Sequence, residues 1–455
     1  MKLTIPPLHI DSNEGFVKDQ LHRSEFGQQL ARLVESTDEP LVISLDAPWG
    51  EGKTTFVRMW QGLLNDNQVP NVYIDAFAND YLEDPFITVV SAVNEYVAEK
   101  LPKKDRWISN EFKEKSIKIG GKLLSLGTKL GVKAATLGLV SGSDLEDLKA
   151  IKDDISGDVS AQAEAFVKSR LEAQGQNQAL IDSFKESLGA LPSQLSDGGK
   201  PLVIIIDELD RCRPTFAVEL LEKIKHLFSV PNVVFLLVMN ADQLKEAIKS
   251  VYGPGISAHT YLQKFINFEA KLPKRKKRSR HGQNDIETYI SHLFVQHDFS
   301  SAGQEISYLR WFKQLADQFD LSLREIEKGM SLYALFVATS STDSKPPYPL
   351  VAALAVIKVK LPEVFQKLAG QLINYEELIK ESDLPSISDL DENQDHDMID
   401  LLTAFRAVLL SNEEIEADPD AGRLRKYASW VSRNHHYNRD AILSLTLRLN
   451  SFTAL

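Results

Sequence analysis

The chain has 455 residues, of which 43% are hydrophobic and 25% charged, a balance that excludes disordered and fibrous proteins and is typical of a globular one. Its length exceeds the size at which one hydrophobic core usually stops growing, so we expect one large domain with an attached region. The net charge of -12 argues against a surface built throughout for nucleic acid, and the single cysteine, Cys212, excludes an intramolecular disulfide and a zinc site made of cysteines.

Helix and strand patterns alternate in the first part of the chain. Residues 23–36 carry apolar side chains at helical spacing and predict an amphipathic helix. Strand-length apolar runs follow at 41–46, 71–77, 201–207, 232–239 and 265–272, with helical stretches between them. Because these runs are continuously apolar, we expect strands that are covered on both faces, which predicts an α/β fold with a mostly parallel sheet.

The C-terminal third shows helical patterns, which recur at 307–319, 324–338, 351–361 and 397–410. No strand run of comparable quality follows residue 300, so an all-helical C-terminal region is predicted. An acidic stretch at 382–397 has low hydrophobicity, and little order is expected there without a partner.

A glycine-rich loop follows the first predicted strand. The segment APWGEGKTT, residues 47–55, has the spacing of a P-loop, with Ala47 in place of the expected first glycine. In such a loop the backbone N–H groups surround phosphate oxygens, which Gly50 and Gly52 permit through their dihedral freedom. Lys53 is predicted to reach the β- and γ-phosphates, and Thr54 to bind Mg²⁺. The predicted nucleotide-binding residues are Pro48, Trp49, Gly50, Glu51, Gly52, Lys53, Thr54 and Thr55.

Adjacent acids end the predicted strand at 201–207. Asp207 is predicted to hold Mg²⁺ through water, and Glu208 to polarise the water that attacks the γ-phosphate. The two motifs together predict binding of ATP or GTP. Asp210 and Arg211 follow in the same turn, where a local ion pair and a role in sensing nucleotide both stay open.

These residues resemble the KAP family of P-loop NTPases, a predominantly bacterial group with some animal members. The matches within residues 10–335 are APWGEGKTT with its Trp49, IDAFANDYLEDPF (74–86), DELDRC (207–212) and YLQKFINFEAKLP (261–273). The resemblance implies an additional-strand fold, in which a further strand lies between those that bear the phosphate loop and the acids.

The resemblance also implies polar residues that sense the nucleotide. Asn240 looks like the residue that contacts the γ-phosphate or the attacking water, and Arg324 looks like the arginine of a helical lid. A strand cap for Asn240 and a solvated helix face for Arg324 stay open as alternatives. Asp242 is predicted to be the N-cap of the helix that follows.

An insert at about 100–195 replaces the transmembrane segments that the family commonly carries between its two motifs. Within 116–140, Lys118, Lys122, Lys129 and Lys133 share one helical face. This stretch could lie on an anionic membrane surface or mediate self-association, but docking on its own domain is favoured, because its glycines weaken a free-standing helix.

A basic run, KRKKRSRH at 274–281, could contact nucleic acid or anionic lipid. No aromatic residues interleave with it, so stacking on bases is not supported, and a solvated loop is favoured.

The predicted organisation is an N-terminal segment (1–22), a P-loop NTPase core (23–298) that contains the insert, and a helical lid with a C-terminal helical domain (299–455). The N-terminal residues show no secretory signal, and no window reaches the about 18 uncharged apolar residues of a spanning helix. A cytoplasmic location is therefore expected.

The motifs and the resemblance predict a Mg²⁺-dependent ATPase that hydrolyses ATP to switch or drive a larger assembly. Lys53 and Mg²⁺ would absorb charge while Glu208 and Asn240 act on the water or the γ-phosphate. An arginine from a neighbouring subunit fits this mechanism, with Arg211, Arg213 or Arg324 as candidates, so a homo-oligomer or a protein partner is expected. The resemblance adds a context in bacterial defence against phages or plasmids.

The sequence allows two alternatives to the ATPase function. The first is a nucleotide-gated scaffold or signalling switch that turns over slowly or not at all. The second is a small-molecule kinase, which is disfavoured because no residue set forms an acceptor pocket under a lid.

Overall fold

The computed structural model describes residues 1–6, 10, 14–82, 84–102, 107–115, 179, 181–196, 198–274, 285–302, 304–340, 347–392, 394–431 and 438–451. The lysine-rich stretch at 116–140 and residues 275–281 of the basic run lie outside these ranges. Within the described ranges, none of the helices combines the length and the apolar character that crossing a membrane requires.

One parallel sheet forms the centre of the P-loop part, with the strand order β2-β3-β4-β1-β5. The strands are β1 Leu41–Asp46, β2 Asn71–Asp75, β3 Leu202–Asp207, β4 Val233–Met239 and β5 Phe268–Lys271. Strand β4 separates β1 from β3, which confirms the additional-strand α/β fold. Because all neighbours are parallel, the loops that follow β1 and β3 leave the same edge of the sheet.

Helices cover both faces of this sheet. They are α1 Ser24–Glu35, α2 Lys53–Asp66, α3 Pro85–Lys100, α4 107–115, α5 181–195, α6 Pro214–Ile224, α7 Ala241–Tyr252 and α8 Ala258–Leu262. One face packs against α1 and α2, and the other packs against α3 to α8. Alternate residues of β4 serve the two faces, which explains why its sequence is apolar throughout.

The C-terminal region consists of helices around a core of its own. They are α9 Asp285–Gln296, α10 Arg310–Gln318, α11 Leu323–Ala338, α12 Tyr348–Lys360, α13 Pro362–Ala369, α14 Tyr375–Ser382, α15 His396–Leu409, α16 Asn412–Ala417, α17 Ala421–Val431 and α18 Asn438–Asn450. No strand occurs among the described residues from 285 onward, which confirms the predicted helical region. Helix α12 is central, because its residues from Tyr348 to Ile357 are buried on every side.

The acidic stretch at 382–397 has more structure than its composition predicts. A 3₁₀ turn spans Ile387–Asp389, Leu384 is buried, and Leu390 packs against the helical core. The expectation of little order was wrong for the described residues, because a few apolar side chains there meet a surface on which they can be buried.

The N-terminal segment crosses from the sheet to the C-terminal helices. The backbone N–H of Lys2 donates to the carbonyl of His297 at 2.7 Å, and Ile5 packs against the helical core. Further along, Gly15 lies directly against Gly62 of α2. The segment therefore joins two parts of the chain that have separate cores.

Gly62→Ala is expected to lower the free energy of unfolding by about 1–3 kcal/mol through overpacking, because an added Cβ would lie 2.3 Å from the backbone nitrogen of Gly15. Urea unfolding measures this. The matched control is Gly422→Ala in α17, where an added Cβ meets nothing within 4 Å and helix propensity favours alanine. Equal stability of the two variants would contradict the close packing at Gly62.

Candidate functional site

The phosphate loop joins β1 to α2 and depends on two glycines. Gly50 has a φ of +83° and Gly52 a φ of +76°, in the left-handed region that favours glycine. Gly52 is the N-cap of α2, so Lys53 and Thr54 stand in the first turn, where the helix end is positive. The loop accommodates Ala47 in place of the expected first glycine. The N–H of Ala47 donates to the carbonyl of Met239 at 3.3 Å, so this residue continues the pairing of β1 with β4.

Lys53 is buried at the centre of this loop. Its Nζ donates to the carbonyl oxygens of Ala47 at 2.6 Å and Pro48 at 3.2 Å. Burial lowers the pKa of the ammonium, and the charges of Asp210, Asp207 and Asp46 act in the opposite direction. The loop therefore holds one cation among several carboxylates, in the position from which it could meet a phosphate.

Asp207 ends β3 and is buried beside the loop. Its Oδ2 accepts a hydrogen bond from the Tyr73 hydroxyl at 2.9 Å, and its Oδ1 accepts one from the Glu208 N–H at 2.7 Å. Burial raises the pKa of this carboxyl, while Tyr73, the nearby Thr54 side chain and the Glu208 N–H act to lower it. The structure thus brings the two predicted metal ligands, Thr54 and Asp207, into the lining of one cavity.

Glu208 adopts a left-handed backbone conformation, with a φ of +58°, which is uncommon outside glycine. Its Oε1 lies 2.9 Å from the Nη1 of Arg211. Burial raises the pKa of Glu208, and Arg211 acts to lower it. The turn's ion pair is therefore between Arg211 and Glu208, whereas Asp210 accepts a hydrogen bond from the indole of Trp49.

Helix α11 begins directly over the phosphate loop. The backbone N–H of Arg324 donates to the carbonyl of Gly50 at 3.3 Å. Ser322 and Glu325 form a capping box at this helix end. Arg324 also lines the cavity beside the loop. The geometry therefore places Arg324 at the site, and its function there stays a prediction.

Asn240 follows β4 at the same edge of the sheet but acts as a helix cap. Its side chain accepts hydrogen bonds from the N–H groups of Asp242 and Gln243, so the prediction of Asp242 as the N-cap was wrong. Asn240 is not among the described residues that line the cavity. Its role as a nucleotide sensor stays a prediction.

A cavity of about 1030 Å³ extends from the phosphate loop to the N-terminal segment. Its lining includes the loop residues Gly50, Gly52, Lys53, Thr54 and Thr55 and the acids Asp207 and Glu208. It also includes the apolar residues Ile5, Pro6, Ile10, Leu21 and Leu293. Of the predicted nucleotide-binding residues, Pro48, Trp49 and Glu51 are not among those that line it.

Two residues of the site were missed by the sequence analysis. Arg23 is buried, lines the cavity, and donates from Nη1 to the carbonyl of Glu51 at 2.7 Å. Tyr73 contacts Asp207 from β2. Neither belongs to a local motif, and the only signal was their position, Arg23 at the start of a predicted helix and Tyr73 within a predicted strand.

A parallel sheet with a phosphate loop after β1, acids after β3 and β4 between them defines an additional-strand P-loop NTPase domain. A model of the KAP family P-loop domain matches residues 23–336, and this chain belongs to that family. The resemblance stated from the sequence is therefore confirmed, and the chain is a nucleotide-binding P-loop protein.

Two individual similarities were also found. An uncharacterized protein of Methanocaldococcus jannaschii is 34% identical over 132 residues, which are 28% of this chain and 68% of that protein. The structure of the Aeropyrum pernix ORC2 protein, in ADPNP–ADP complexes, aligns with 98% of this chain and 96% of its own at 12% identity and a TM-score of 0.35.

Gly50→Ala is expected to lower the free energy of unfolding through left-handed backbone strain and by about 1–3 kcal/mol more through overpacking. The added Cβ would lie 2.9 Å from the Oγ of Ser322, the N-cap of α11. Thermal unfolding and nucleotide binding measure the effect. Gly253→Ala is the matched control, since Gly253 has a φ of +92° with nothing within 4 Å of an added Cβ. An equal loss of unfolding free energy in both variants would argue against a contact between Gly50 and α11.

The raised pKa of Asp207 predicts a pH dependence of stability. The folded chain binds this proton more tightly than the unfolded one, so the wild type loses stability as the pH rises from 3.8 through the raised pKa. The loss is about 1.4 kcal/mol for each unit by which the two pKa values differ. Asp207→Asn removes this contribution, so its unfolding free energy should fall less over the same range. Parallel pH profiles for the two proteins would contradict the prediction.

Proposed function

We propose that this protein is a Mg²⁺-dependent ATPase whose hydrolysis switches or drives a larger assembly. One observation carries the proposal. Lys53 and Thr54 follow β1, Asp207 ends β3 and Glu208 comes directly after it, and all four line one cavity. Phosphate binding, metal binding and activation of water need these groups side by side.

The side chains beside the loop fit a magnesium ion. The hydroxyl of Thr54 and the carboxylate of Asp207 line the same cavity and are oxygen ligands of the kind that Mg²⁺ prefers. Thr54 would bind the ion directly and Asp207 through water. When bound, Mg²⁺ supplies positive charge that offsets the charge of the β- and γ-phosphates.

The rest of the cavity suits a nucleoside triphosphate. The backbone N–H groups at the start of α2 and the ammonium of Lys53 would hold the phosphates. Arg23 and Arg324 add cationic groups to the same lining. The apolar lining residues, among them Leu21 and Leu293, would contact the base of the nucleotide.

Hydrolysis would depend on Glu208. Its carboxylate would position and polarise the water that attacks the γ-phosphate, and its raised pKa favours accepting a proton. In this structure Arg211 holds that carboxylate at 2.9 Å. Turnover would therefore require Glu208 to share or release this ion pair.

The same ion pair favours a second candidate function, a nucleotide-gated switch that turns over slowly or not at all. An arginine held by Glu208 keeps the carboxylate engaged, and a partner could release it. The proposal also includes a cytoplasmic location and a homo-oligomer or a protein partner. A context in bacterial defence against phages or plasmids belongs to it through the family alone.

Glu208→Gln is expected to lower ATP turnover by about 10²–10⁴-fold, because an amide cannot take a proton from water. Nucleotide binding should persist, since Lys53 and the loop amides are unchanged. Phosphate release and equilibrium binding of a fluorescent ADP analogue measure the two properties separately. Glu246→Gln is the matched control, because it breaks another ion pair of the same spacing, with Lys249 on α7.

The outcomes separate the functions. A wild type that binds tightly without turnover supports the switch, and transfer of labelled phosphate to an acceptor other than water supports a kinase. Full turnover by Glu208→Gln would remove this residue from the mechanism.

A further inference from the structure

Tyr73 lies on β2, one strand away from the acids. It is paired with Ile205 in the β2–β3 register and faces the side of the sheet that packs against α2. Asp207 is the next residue of β3 on that face, two positions after Ile205. The tyrosine is long enough to reach along the strand, and its hydroxyl lies 2.9 Å from Oδ2 of Asp207.

The carboxylate of Asp207 is held from both sides. Tyr73 donates to Oδ2, and the N–H of Glu208 donates to Oδ1 at 2.7 Å. Because each oxygen has one donor fixed by the sheet or the backbone, rotation of the carboxylate about its bond would break a hydrogen bond. The carboxylate is thereby held in one orientation at the edge of the cavity that it shares with the phosphate loop.

The ring of Tyr73 is itself fixed in place. The guanidinium carbon of Arg58 lies 3.3 Å from the ring centroid, and this arginine belongs to α2, the helix that follows the phosphate loop. The Tyr73 hydroxyl is a phenol, which is protonated at neutral pH and can act as a donor. The contact therefore links the phosphate-loop helix to the acid strand.

We infer that Tyr73 is a positioning residue for the Mg²⁺ site, which orients Asp207 by a hydrogen bond to the oxygen that the backbone does not hold. The inference rests on the proposed function, since it concerns the metal of that site. Partners that orient a metal-binding carboxylate change metal affinity by about 10–100-fold when they are removed.

The experiment is a Mg²⁺ titration of the full chain with a fluorescent ADP analogue, repeated in EDTA. Tyr73→Phe should raise the Mg²⁺ concentration for half-maximal binding by about 10–100-fold and leave binding in EDTA unchanged. Tyr96→Phe is the matched control. Its hydroxyl accepts from the N–H of Asn71, at the other end of β2, and is not a partner of Asp207. This control should not change the Mg²⁺ requirement.

A second measurement tests whether Tyr73 acts through Asp207. In an Asp207→Asn background, Tyr73→Phe should change the Mg²⁺ requirement far less than it does in the wild type. Melting temperatures of all variants separate loss of folding from loss of orientation. A Tyr73→Phe protein could have a lower melting temperature than the wild type and still bind Mg²⁺ and nucleotide normally. This result would assign the hydroxyl to stability alone and overturn the inference.

The result also distinguishes this inference from the proposed function. A wild type without Mg²⁺-dependent binding would overturn both. Mg²⁺-dependent binding that is equal in the wild type and Tyr73→Phe, or equally weakened in Tyr73→Phe and Tyr96→Phe, would overturn the inference alone.

Discussion

The phosphate loop with Lys53 follows β1, and Asp207 is the last residue of β3. These two strands are not neighbours, because β4 lies between them and sets the distance from the phosphate loop to the acids. Neighbouring strands lie about 4.8 Å apart, so β1 and β3 are separated by about 10 Å. Side chains and loops that project from the edge of the sheet share that space, and Thr54 and Asp207 line the same cavity there. The parallel pairing of β1, β4 and β3 is therefore the constraint on which the rest of the site depends.

That constraint brings charged groups together where water is scarce. Burial disfavours the charged forms of Lys53, Asp207 and Glu208, and each is offset by a specific partner: loop carbonyls, the Tyr73 hydroxyl and the Arg211 guanidinium. The site thus uses neutral donors and acceptors as well as opposite charges. A lone ionised group at the same depth would change its protonation state instead.

The P-loop part and the C-terminal helices both contribute residues to the lining of the cavity. Helix α11 belongs to the C-terminal core, yet its first turn hydrogen-bonds to the carbonyl of Gly50. The N-terminal segment packs on α2 through Gly15 and on the C-terminal core through Ile5. The phosphate loop is thus in contact with the start of α11, and the N-terminal segment is in contact with α2 and with the C-terminal core.

The sequence was enough to predict the strands, the phosphate loop, the acid turn and the helical C-terminal region. Hydrophobic periodicity and short motifs report interactions between residues that are close in the chain, so they can be read without the fold. The tertiary structure decided which distant residues meet these motifs. Tyr73 reaches Asp207 across 134 positions and Arg23 reaches Glu51 across 28. It also shows contacts that local pattern leaves open, since Arg211 pairs with Glu208 and Asn240 caps α7. Such choices depend on strand order and on the direction of each side chain, which only the packed fold specifies.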